Sequence, residues 1–151
     1  MEEIPLKPIS RSDIHKLETA LIVSTLLRED VINKIRESTE RITWIDSLAV
    51  AAAALARSKA GMSTSAIADD LGRSEATIRR HLLGKTEAGK LVLETYKKFV
   101  KEGVKIEPPE ALTPEYTKLR EALEEEKKKR MVLEKKLEDI KKKLESILES
   151  I

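Results

Sequence analysis

Arg79 and Arg80 stand side by side in the stretch TSAIADDLGRSEATIRRHLL, residues 64–83, with Glu75 four residues before Arg79. Ile67, Leu71, Ile78 and Leu82 recur at helical spacing and are expected to face a core. That leaves Ala76, Arg79, Arg80 and Leu83 on the opposite face of the second helix. Two guanidiniums beside a carboxylate have the chemistry to read base edges. Arginine donates paired hydrogen bonds to guanine O6 and N7, and glutamate accepts from cytosine N4.

Other chemistries fail one at a time. GKTEAGKL, residues 84–91, nearly matches a phosphate-binding loop, but Leu91 stands where a hydroxyl must hold magnesium, and no strand precedes it. His15 and His81 are far apart in sequence with no carboxylate cluster at metal-ligand spacing, so both read as ordinary helix residues. Asp69 and Asp70 are expected to face solvent at a helix end, and residues 124–126 are expected to form a charged helix surface rather than an acid and base pair. No catalysis, cofactor or metal is expected.

The elements that must position the arginines are signalled locally. Two helices crossing steeply need a small side chain at closest approach, which is Ala68, and a tight turn, which is Gly72 after Leu71. Ser63 is expected to cap the first helix and Ser74 the second, with Glu75 at the positive end of the second helix dipole.

With Ala68, Gly72 and Ile78 at these positions, the chain resembles the helix-turn-helix family of transcription regulators, most of all small archaeal ones. The resemblance is strict over about twenty residues and looser over the flanking helices. It implies that the second helix, residues 75–83, enters the major groove of double-stranded DNA. Carried over residue by residue, the base-reading positions are Glu75, Ala76, Arg79, Arg80 and Leu83, and the phosphate contacts are Ser63, Thr64, Arg73 and Ser74.

Upstream, Thr43 with Asp46 reads as a capping box opening a helix that runs to Gly61. Downstream, residues 86–102 read as an amphipathic helix with Leu91, Val92, Tyr96, Phe99 and Val100 toward the core. No alternating hairpin follows residue 83, so the domain is expected to lack a wing. In residues 1–40, Ser10 or Ser12 starts a helix carrying Ile14, Leu17, Leu21 and Ile22, which Val31, Ile32 and Ile35 extend or follow as a second helix. ALIVSTLL is expected to be helical, since a lone strand cannot satisfy its own backbone.

Residues 103–113 interrupt the helical pattern with Gly103 and the pair Pro108 and Pro109, an extended linker. A heptad follows, with a positions Tyr116, Leu123, Arg130, Leu137, Leu144 and Ile151 and d positions Leu119, Glu126, Leu133, Ile140 and Ile147. Apolar a and d positions predict a coiled coil over residues 114–151, a rod of roughly 57 Å. Leu119, Leu123, Leu133, Leu137, Ile140, Leu144 and Ile147 are the expected dimerisation residues. Glu126 and Arg130 could pair within a helix or across the interface, and charge leaves parallel and antiparallel pairing both open.

The expected architecture is therefore all-α. An N-terminal helical segment, 1–40, packs on a helix-turn-helix domain without a wing, 41–102. A linker, 103–113, leads to a long coiled-coil helix, 114–151. Charged residues make up 37% of the 151, and the surplus over about 25% lies in the rod. Net charge is +2, but residues 62–101 hold eight Lys or Arg against five acids. So modest a balance places DNA affinity on particular contacts and on paired heads rather than on general attraction. The chain contains no cysteine, its first residues lack a secretory layout, and its longest apolar run, residues 48–56, is too short to span a membrane. A cytoplasmic, nucleoid-associated homodimer that regulates transcription is expected. The alternatives are a nonspecific architectural chromatin protein and a coiled-coil adaptor that binds protein.

Overall fold

Four helices begin at a hydroxyl. In the computed structural model, which describes residues 3–107 and 114–151, Ser10, Ser63, Ser74 and Thr86 each accept the amide three residues on. The distances are 3.1 Å to Asp13 N, 3.2 Å to Ala66 N, 3.2 Å to Thr77 N and 3.0 Å to Gly89 N. Each bond satisfies one of the amides a helix start leaves unpaired. The helices so capped are α1 (Arg11–Leu26), α4 (Thr64–Leu71), α5 (Glu75–Leu82) and α6 (Glu87–Glu102). Between them lie α2 (Glu29–Glu37) and α3 (Arg41–Lys59), and the chain ends in α7 (Pro114–Glu149). The protein is all-helical, with no strand among the described residues. ALIVSTLL lies in α1 and the turn that follows it, and Val31, Ile32 and Ile35 belong to a separate α2.

The chain divides into two compact units, Met1–Pro109 and Glu110–Ile151. In the first, residues of 1–40 pack into the main core. Leu17, Leu21 and Val31 pack in one buried cluster with Leu48, Leu55, Leu91, Val92 and Phe99. The centre is α3, where Ala51, Ala52, Ala53, Ala54 and Ala56 are all buried. Small side chains on every side let α1, α4, α5 and α6 approach this one helix, and a helix apolar all round is a buried one. A second cluster, Ala54, Ile67, Ala68 and Ile78, seats α4 and α5 on α3, with Leu71 and Leu82 half-buried at its margin.

Two local expectations are corrected. Thr43 does not cap α3: the helix starts at Arg41, and the Glu40 side chain makes no cap bond. Asp46 is drawn instead to the Arg73 guanidinium, 3.1 Å away, since a charge-assisted bond outweighs a cap. Val100 is 60% exposed, and the inward stripe of α6 takes Thr95 in addition to Leu91, Val92, Tyr96 and Phe99. Thr95 is tolerated there because its hydroxyl accepts from Thr25 at 2.8 Å and donates to the Leu91 carbonyl at 3.1 Å.

The second unit is α7, whose seam residues Leu119, Leu123, Leu133, Leu137, Ile140, Leu144 and Ile147 are 54–71% exposed in the single chain. Glu126 and Arg130 do not pair within the helix. Arg130 Nε lies 3.4 Å from Glu134 instead, an exposed i,i+4 pair on the C-terminal side of the arginine. Pro108, Pro109 and the rest of 108–113, with the Tyr116 side chain, lie outside the described residues. No helix among the described residues is long and apolar enough to cross a membrane.

Candidate nucleic-acid interface

Gly72 supplies the turn between α4 and α5. Its φ of 61° and ψ of 39° are left-handed, where a side chain would cost about 1–2 kcal/mol, and the Arg73 N–H returns to the Ala68 carbonyl at 3.1 Å. From Ser74, α5 leaves Ile78 and His81 buried against the body of the protein. Its other face is open: Glu75, Ala76, Arg79, Arg80 and Leu83 are all exposed, Leu83 at 62%. The five residues expected to read bases are thus brought together on one surface.

Electrostatics on that surface are weakly constrained. Arg79 lies 3.7 Å from Glu75, an exposed i,i+4 pair worth a few tenths of a kcal/mol that another partner can readily displace. Arg80 has no ion pair among the described residues. Neither has Lys85, exposed on the turn after α5, where its N–H bonds the Arg80 carbonyl at 2.9 Å. Lys85 adds a cation at the C-terminal edge of the face. It was hidden in the sequence by the resemblance of its surroundings to a phosphate loop.

Of the residues expected at phosphate, Ser63 and Ser74 are exposed at the starts of α4 and α5, each hydroxyl capping its helix, and Thr64 is half-buried. Arg73 is exposed but engaged by Asp46, so a phosphate would have to replace a carboxylate that is itself half-hydrated.

The seating of α5 explains GKTEAGKL. Gly89 sits where α6 passes under the end of α5, and a Cβ there would lie 2.8 Å from His81 Cα and 2.9 Å from His81 C, besides meeting the His81 carbonyl oxygen. Thr86 Oγ1 caps α6 and lies 2.7 Å from His81 Nδ1. With the hydroxyl proton directed to Nδ1, the ring is neutral and carries its own proton on Nε2. The glycines and threonine therefore serve helix packing. His81 is not an ordinary surface position: burial, then the nearby Arg80 charge, push its pKa below the usual value.

A pH dependence follows. The unfolded chain takes up a proton on His81 near pH 6.5, whereas the folded chain resists until a lower pH, so stability is full above pH 6.5 and is lost as pH falls toward the folded value. Asp70 and Glu87, held low by Arg57 and Lys34 respectively, add their losses only near and below pH 4. Thermal midpoints measured from pH 7.5 to 5 are expected to fall, and His81→Gln is expected to flatten that slope. An unchanged slope would show that His81 does not titrate differently on folding.

Behind α4 lies a group the sequence reading missed. Arg57, 9% exposed near the end of α3, donates to Asp70 at 2.5 Å, to Glu18 at 2.8 Å and to the Ala53 carbonyl at 3.1 Å. It joins α1, α3 and α4. Asp70, expected to face solvent, is exposed but tethered by this bond, which supplies the partly buried guanidinium with a second counter-charge beside Glu18. Burial disfavours the Arg57 charge, yet the bonds to Asp70 and Glu18 outweigh it and raise its pKa.

No family model and no solved structure matches the chain. It is similar to an uncharacterized protein of the archaeon Methanocaldococcus jannaschii, with 52% identity over 107 residues, a match that covers 71% of this chain. The matched stretch spans 66% of that relative's length, just under two thirds.

Proposed function

We propose that this chain is a sequence-specific DNA-binding transcription regulator that acts as a homodimer. The observation that carries the reading is the outer face of α5: Glu75, Ala76, Arg79, Arg80 and Leu83 are exposed together on a helix held at a fixed angle by the Gly72 turn and by Ile78 in the core. In this reading α5 enters the major groove, Arg79 and Arg80 donate to guanine, and Glu75 accepts from cytosine once its weak pairing with Arg79 is released. Ser63, Thr64, Arg73, Ser74 and Lys85 contact phosphates on either side. The α7 seams of two chains pair, so two recognition helices read half-sites about 34 Å apart or a multiple of that. The protein would then work at the nucleoid in the cytoplasm.

The test is fluorescence anisotropy with a mixed-sequence duplex across salt, comparing the native chain with Arg79→Ala/Arg80→Ala whose helicity is checked by circular dichroism. A loss of at least about tenfold in affinity is expected from the folded variant. Equal binding by both would move the interface off α5. Binding with a steep salt slope and no discrimination among duplexes would favour an architectural role. No binding by either at low salt would favour a protein-binding adaptor.

A further inference from the structure

The branching of the α7 side chains carries information about strand number beyond the heptad itself. Over the last two heptads the a positions are Leu137 and Leu144, and the d positions are Ile140 and Ile147. In a parallel two-stranded coil the Cα–Cβ bond at d points straight at the facing backbone. A β-branched side chain, stiff at χ1 and bulky beside its own backbone, fits poorly there. Adding strands turns that bond alongside its neighbour, so leucine at a with isoleucine at d favours three or four strands over two.

The flanks point the same way. Leu148, at an e position, is 70% exposed, and a two-stranded seam of a and d residues leaves it in water. A bundle of four helices turns a wider face of each strand inward and takes in Leu148, together with Ala122 at a g position. The Lys stems at Lys136, Lys141 and Lys143 can lie along such a core while their ammonium groups stay hydrated. The two polar positions are compatible with the arrangement. Glu126 and Arg130 would form adjacent rings of opposite charge one helical turn apart, fixing the register at some cost in stability.

On the reading of α7 as a self-associating helix, we propose that four parallel chains, rather than the two of the dimeric reading, join through it, making the protein a tetramer with two pairs of DNA-binding heads. The partner surface is the same helix on three further copies. Sedimentation equilibrium on the 151-residue chain, mass 17.0 kDa, is expected to give four times that mass. The quadruple swap Leu137→Ile/Ile140→Leu/Leu144→Ile/Ile147→Leu conserves side-chain volume and helicity while restoring the two-stranded preference, and is expected to halve the mass. Circular dichroism of the swap confirms that α7 is still helical. A native mass of two or three chains overturns the tetramer and leaves self-association standing, and a monomer overturns both. A helical swap that keeps the native mass shows that branching does not set the strand number, and overturns the inference from the other side.

Discussion

Gly89→Ala is expected to cost about 3 kcal/mol or more, enough to drop the thermal midpoint by more than ten degrees, although it adds a single methyl group to a helix. On propensity alone the change would stabilise α6 by about 1 kcal/mol. It does the reverse because the new Cβ meets backbone rather than side chain: His81 Cα at 2.8 Å, His81 C at 2.9 Å and the His81 carbonyl oxygen. No rotamer change relieves that overlap, so α5 must lift away from α6. Lifting it stretches the bond from Thr86 to His81 Nδ1 and disturbs the helix that carries Arg79 and Arg80. Gly84→Ala makes the comparison. Its Cβ would come 3.2 Å from Leu93 Cδ1, the flexible end of a side chain, so its cost is mainly the left-handed backbone at φ 67°, about 1–2 kcal/mol. Urea unfolding of both variants, followed at 222 nm, checks the order. A Gly89→Ala protein as stable as the native chain would mean that α5 and α6 do not approach this closely.

What could be read from the sequence and what could not divides along the range of the forces involved. Ser63, Ser74 and Gly72 act within three or four residues, so their caps and turn were legible as spacing. The stripe of Ile67 and Ile78 was legible because burial of one helix face repeats with the helix period. Gly89 was not, since its reason lies eight residues away on another helix and leaves no periodic trace. The resemblance places Arg73 at phosphate, whereas its ion-pair partner Asp46, 27 residues away, leaves no trace in local spacing. Asp46 reads as a local cap from spacing alone, and this long-range ion pair takes the place of that cap. Val100, expected toward the core, is exposed for a similar reason. Residue type suggests valine inside and threonine outside, whereas the phase of α6 buries Thr95 and a hydroxyl relay through Thr25 makes that burial tolerable. For α7 the heptad is legible, and its seam residues stand exposed in the single chain.

The Arg57 cluster is expected to respond very differently to removal of its cation and of its anions, although either change breaks the same two ion pairs. Arg57→Met puts an apolar side chain of similar length into a site that is nine-tenths buried. It strands Glu18 and Asp70, whose side chains are 22% and 39% exposed and can be rehydrated by small movements. No fully buried charge is left uncompensated and the stranded carboxylates reach water, so the stability of this variant is expected to stay within about 1 kcal/mol of the native chain. Glu18→Gln/Asp70→Asn leaves a guanidinium at 10% side-chain exposure, with the Ala53 carbonyl and two amide oxygens as its only acceptors in the cluster. Arginine cannot shed its proton to escape, so the uncompensated charge is expected to cost about 3–5 kcal/mol. The acid dependence separates the two cases further. The Asp70 pKa is held low by its bond to Arg57 and by that residue's charge, so this carboxylate stabilises the native chain above pH 4 and the contribution is lost as pH falls through its folded value. Both variants lack that loss. Urea titrations at pH 7 and pH 3.5 should therefore show the native chain losing more stability on acidification than Arg57→Met. Equal destabilisation by Arg57→Met and the double acid variant would mean that the pair energy, rather than the buried charge, governs the cluster.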